Sequence, residues 1–163
     1  MKESLKYFNI WYSTTANESN IYIFRQLIEP ILLYGAETWT LTARQQKRLD
    51  GTYTNLLRRV QVIDWSEHTT LRQIYGDIPP LSQKVAKRRL SLAGHCYRAA
   101  GEVIHPLLLW RPSGPVRYRG LTFPDAIAMD SRMERMDCPA AMGDREVWGC
   151  AVESTPAARV AQR

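Results

Sequence analysis

The sequence predicts a mainly α protein: a small helical bundle, then a basic Pro/Gly-rich loop and a poorly ordered C-terminal segment. Three observations carry this. Apolar residues recur at three- and four-residue steps over much of the first hundred positions. Helix start and stop signals bracket those runs. Beyond Gly101 the pattern degrades, which divides the 163 residues into a helical region at 1–110 and an extension at 111–163.

Residues 1–19 give a weak signal, with Leu5, Phe8 and Tyr12 on one side of a short helix and residues 13–17 as a turn. From about Asn20 the spacing of Phe24, Leu27, Ile28, Ile31 and Leu32 predicts a helix. Pro30 interrupts it, so the helix either kinks there or stops at Glu29 and restarts. Gly35 marks a helix end or a close approach to a neighbour. Thr42 and Gln45 match a capping box, in which two side chains satisfy the free amides of a helix start. Leu49, Tyr53, Leu56, Leu57 and Val60 follow at helical spacing. Arg44, Lys47, Arg48, Arg58 and Arg59 fall mostly on the other faces. Gly51 weakens this helix by about 1 kcal/mol relative to Ala.

A short helix is expected from Thr70 to Tyr75, stopped by Gly76. The next runs from Pro79-Pro80 to about Ala99, proline being suited to a first turn. Leu81, Val85, Leu92 and Cys96 form its apolar stripe. Lys84, Arg88, Ser91, His95 and Arg98 form a second, mostly basic stripe, with Lys87 beside it. Such a helix packs inward and offers charge outward. Residues 103–110 are a compact apolar run compatible with strand or helix. Residues 111–120 read as a basic loop, either a linker or a segment that orders on a partner. A last helix is expected over residues 144–152, with a frayed end from Ser154.

The net charge of +6 is unevenly spread, at −1 over residues 1–43, +9 over 44–119 and −2 over 120–163. A polycationic middle points to a polyanion such as RNA or DNA; a solvated basic face without a partner is the plain alternative. At 45% hydrophobic and 23% charged, the composition is that of a foldable chain. No apolar run nears the ~20 residues of a membrane span, and no secretory signal follows Met1. Cys96, Cys138 and Cys150 are odd in number and widely spaced, which argues against a disulfide framework. The expected location is therefore intracellular, in cytoplasm or nucleus.

Catalytic signatures are missing. No two aspartates are adjacent, so the paired carboxylates of two-metal chemistry have no motif here. There is no phosphate-cradling Gly-rich loop with its Lys-Ser/Thr and no Gly-x-Ser-x-Gly elbow. His95 and Cys96 point about 100° apart on a helix, and no Cys-x-x-Cys supports them, so neither a metal nor any other cofactor is expected. Glu67-His68 reads as an exposed turn. Trp39, Trp65, Trp110 and Trp148 suit core packing better than base stacking; Tyr118, between Arg117 and Arg119, is the better stacking candidate.

The run Ile31-Leu32-Leu33-Tyr34-Gly35-Ala36-Glu37-Thr38-Trp39, with Lys47-Arg48-Leu49-Asp50 and Leu57-Arg58-Arg59, resembles the segment after the palm in reverse transcriptases of non-LTR (LINE-type) retrotransposons. Arg88-Arg89-Leu90 and Gly94-His95-Cys96-Tyr97-Arg98 are similar to that family's Gly-His-x-x-Arg signature. The basic loop from Gly114 to Gly120 resembles its Arg-Gly-Arg-Pro stretch, and Asp144-Arg145 with Trp148 its closing Asp-Arg-x-x-Trp. The chain departs from the pattern at Gly120-Leu121-Thr122 and at Gly149-Cys150, where cations are usual. The resemblance implies a thumb-like region and C-terminal extension of an RNA-directed DNA polymerase. Its endonuclease and catalytic aspartates would lie upstream of Met1, leaving no enzymatic activity in this chain. On that reading the cations of the basic stripe and loop, Lys84, Lys87, Arg88, Arg98, Arg117 and Arg119, are the residues expected to neutralise template or primer phosphates. The parent's palm would be a further partner, and Ile28, Ile31, Leu32 and Trp39 would be exposed without it. A translated mobile-element remnant with no selected function is the alternative expectation.

Overall fold

The structure is a computed structural model and describes residues 14–99, 101, 103–110 and 121–155. It is mainly helical, and no strand occurs among the described residues. None of the described helices is long and apolar enough to cross a membrane.

Helix α1, Thr14–Ile23, continues through a π-helical turn, Phe24–Ile28, into α2, Glu29–Leu32. The π turn resolves the problem set by Pro30. That residue has no amide hydrogen, and its ring would press on the carbonyl four residues back. Widening the turn, with the Glu29 amide bonded to the Phe24 carbonyl, carries the helix past it without a break. Gly35, at φ 66°, ends the element in a left-handed conformation and leads into a 3₁₀ turn at Ala36–Thr38.

Helix α3 spans Ala43–Val60 behind the Thr42/Gln45 capping box, and α4 spans Leu71–Tyr75 behind a second box, Thr70/Gln73. Gly76, at φ 51°, ends α4. Helix α5, Leu81–Arg98, opens on Pro80 as expected. The 103–110 run resolves into a short helix, α6, at Ile104–Leu108.

The C-terminal segment holds more regular structure than its sequence announces. Three helices, α7 at Phe123–Ser131, α8 at Cys138–Gly143 and α9 at Arg145–Glu153, occupy residues expected to hold one. Asp144 caps α9, its Oδ1 accepting from the amides of Glu146 and Val147 at 2.9 and 3.2 Å.

Two hydrophobic clusters meet along α5. The first gathers Phe24, Leu33, Tyr53, Leu57, Ile74 and Tyr75 around Leu81 and Val85. The second gathers Leu108, Ile127, Met142, Trp148 and Ala151 around Leu90, Ala93 and Cys96. Each buried aliphatic side chain contributes about 1.5–3 kcal/mol, so both ends of α5 are fixed by packing. Helix α5 touches α3, the 3₁₀ turn and α6 to α9. It is a central helix, with half of its residues buried.

Not all apolar surface is covered. Ile28 and Ile31 are exposed, together with Tyr22, Ile23, Leu27 and Tyr34. Leu32 and Trp39, expected beside them, instead pack half-buried against the first cluster.

Candidate nucleic-acid interface

The central position of α5 decides what its basic stripe meets. Lys84 lies at the first cluster, where its ammonium pairs with the Glu29 carboxylate and donates to the Tyr53 hydroxyl at 3.2 Å. It also stands 5.3 Å from the Tyr53 ring centroid. Burial, with the like charges of Arg25 and Arg88, pulls Lys84 down to about 8. Burial, with Tyr75 beside it, pushes the Tyr53 hydroxyl up to about 12.

Arg88 donates through Nη1 to the Leu33 carbonyl at 3.0 Å and to Glu37 Oε1 at 3.3 Å. Arg98 donates to the Met142 carbonyl at 2.9 Å. Lys87 pairs with Glu153 at 3.1 Å on the surface. Arg89, between them in sequence, is fully buried and pairs with Asp130. The stripe is thus tied to neighbouring elements along much of its length. Arg117, Arg119 and Tyr118 lie outside the described residues. His95 is exposed on α5.

The open positive surface is on α3. At about 100° per residue, Arg44, Lys47, Arg48, Arg58 and Arg59 fall within an arc of about 120°, with Gly51 and Asn55 between them. From Arg44 to Arg59 this face is about 22 Å long, at 1.5 Å per residue. Leu49, Tyr53, Leu56, Leu57 and Val60 take the opposite face and pack on the first cluster. Asp50 is the one acid of α3, and it turns inward: its carboxylate accepts from the Ser82 amide at 2.9 Å and the Ser82 hydroxyl at 2.6 Å. The outer arc therefore carries no anion. Arg44, Lys47, Arg48 and Arg59 are exposed, and among the described residues they have no ion-pair partner.

The signal for this face was in the sequence. All five cations share an arc from which the helix's acid is excluded, whereas the α5 stripe has no such test of exposure.

The tryptophans divide. Trp148 is buried in the second cluster, and Trp39 is half-buried on the first. Trp65 and Trp110 are exposed, at 70% and 63%. No group of three His, Cys, Asp or Glu side chains that could hold a metal ion occurs among the described residues.

No family model matches the chain. No solved structure matches it either. A protein of Caenorhabditis elegans described as transposon-derived and uncharacterized is 31% identical to it over 117 residues. That stretch covers 68% of this chain and 42% of the nematode protein, so the chain spans less than half the length of its relative. The similarity supports an origin of this chain in a transposon.

Proposed function

We propose that this chain is a non-catalytic, nucleic-acid-binding fragment of a non-LTR retrotransposon reverse transcriptase, holding RNA or DNA by its phosphates. The observation that carries the reading is the outer face of α3: five cations in one arc with no acid among them. Such a face releases counterions from a sugar–phosphate strand and gives affinity with little sequence choice. Lys87 and Arg88 keep part of their surface in water, but each is paired with a carboxylate, Glu153 and Glu37, and Lys84 serves the fold. The transposon-derived relative supports the mobile-element part of this reading. The reverse-transcriptase part rests on the sequence blocks of the thumb and extension.

The test is binding of labelled RNA and DNA to the full chain by fluorescence anisotropy, with primer extension in Mg²⁺ or Mn²⁺ alongside. Micromolar or tighter binding at low salt without nucleotide incorporation is the expected result. No binding at low salt, or any incorporation, contradicts it.

A second reading, a translated remnant without a selected function, is favoured by the apolar surface of Tyr22, Ile23, Leu27, Ile31 and Tyr34. It predicts self-association and a broad melt, whereas a monodisperse, cooperatively melting monomer opposes it.

A further inference from the structure

We infer that Trp65 is a stacking platform for an unpaired nucleobase at the end of the α3 basic face, so that the protein prefers single-stranded nucleic acid to blunt duplex. This inference rests on the phosphate-binding reading of α3 and adds to it the state of the strand.

The turn after α3 is built to hold this ring. The Ile63 amide donates to the Arg58 carbonyl at 2.9 Å and the Val62 amide to the Arg59 carbonyl at 3.2 Å, the paired bonds of a Schellman stop. Glycine normally takes the left-handed position of that motif. Here Val62 takes it at φ 56°, a strained conformation for a β-branched residue. The strain is kept in the segment that turns the chain back to Trp65.

Arg58, the inner cation of the basic face, fixes the ring from one side. Its guanidinium lies 5.2 Å from the indole centroid. Its Nη2 donates to the carbonyls of Asp64 at 2.9 Å and Glu67 at 3.1 Å. Those are backbone acceptors, and among the described residues no carboxylate forms an ion pair with the guanidinium. The indole is nonetheless 70% exposed. An indole recruited for packing is covered, as Trp148 is. One held by a cation and left in water presents a π surface beside a row of positive charge.

An unpaired base matches that surface. Bases inside a duplex already stack on both faces, whereas a single strand offers them freely. The phosphates lie on Arg58, Arg59 and the cations before them.

The experiment uses the full chain with fluorescein-labelled oligo-dT and a blunt duplex of the same length. Trp65→Ala weakens single-strand binding by about tenfold and changes duplex binding by less than about twofold, as loss of one stacked base implies. Trp65→Phe keeps most of the affinity. Arg44→Glu with Arg48→Glu weakens both ligands. A 2-aminopurine placed in the strand is quenched by the wild type and not by Trp65→Ala. If Trp65→Ala lowers both affinities equally or neither, and quenching persists, the inference fails while the α3 reading stands. If the Arg44/Arg48 pair has no effect, the α3 reading fails and the inference with it.

Discussion

Trp148 occupies the space that a side chain at position 94 would need. A methyl group on Gly94 would stand 2.4 Å from the indole Cδ1 and 2.5 Å from Nε1. Close approach lets Nε1 donate to the Leu90 carbonyl at 2.8 Å, a bond between α9 and the middle of α5. Arg98, one turn further on, donates to the Met142 carbonyl of α8. Gly94, Arg98, Asp144 and Trp148, read in the sequence as two separate motif blocks, thus form one joint that seats α8 and α9 on α5.

Gly94→Ala therefore forces the indole out of place. Overpacking of this kind costs about 1–3 kcal/mol. Urea unfolding should show a lower midpoint with helical content largely retained. An unchanged midpoint would mean that the joint is looser than the structure shows.

The Arg89–Asp130 pair joins α5 to α7 away from water, with side chains 2% and 9% exposed. Burial lowers Arg89 and raises Asp130 from their ordinary values, so desolvation opposes both charges more than their attraction favours them. Arg89→Met alone leaves Asp130 stranded and should cost about 3–5 kcal/mol. Arg89→Met with Asp130→Leu should recover most of that loss. If the double variant is no better than the single, the pair is a net stabiliser.

Lys84 gives the fold a dependence on alkaline pH. Its folded value, about 8, lies below the ordinary 10.5, so between these limits the unfolded chain binds more protons. Stability contributed by this group is complete above 10.5 and falls as pH drops through 8. Tyr53, held near 12 against 10.0, acts in the opposite sense above pH 10. From pH 8 to pH 10 the wild type should gain about 1–2 kcal/mol relative to Lys84→Met in paired urea titrations. A constant difference across that window would contradict the burial of this ammonium.

The legible parts of the fold were those with local chemistry. The Thr42/Gln45 box, Pro79-Pro80 and Gly76 each satisfy or break backbone hydrogen bonds within a few residues, and each marks its boundary in the structure. Helix α8 was not legible because its six residues are fewer than two turns and show no period. Helix α7 was hidden because Thr122 pairs with Asp125, a shorter partner than the Glu or Gln of the usual signature.

The site was harder to read for a different reason. An amphipathic pattern shows which face of α5 is polar, but it does not show whether water or another helix meets that face. Glu29 lies 55 residues before Lys84, and Asp130 lies 41 after Arg89, so no local pattern announces either pairing. On α3, by contrast, spacing alone sets Asp50 outside the cationic arc, and Ser82, 32 residues away, holds its carboxylate inward.

The measurement closest to the central claim is the salt dependence of RNA binding by the wild type and by Arg44→Glu with Arg48→Glu. Five phosphate contacts on single-stranded RNA give a log–log slope of about −3.5, so wild-type affinity should fall by roughly 130-fold between 50 and 200 mM salt. The variant should bind more weakly at 50 mM with a slope shallower by about 1.4. Equal slopes for the two proteins would show that no strand lies on α3.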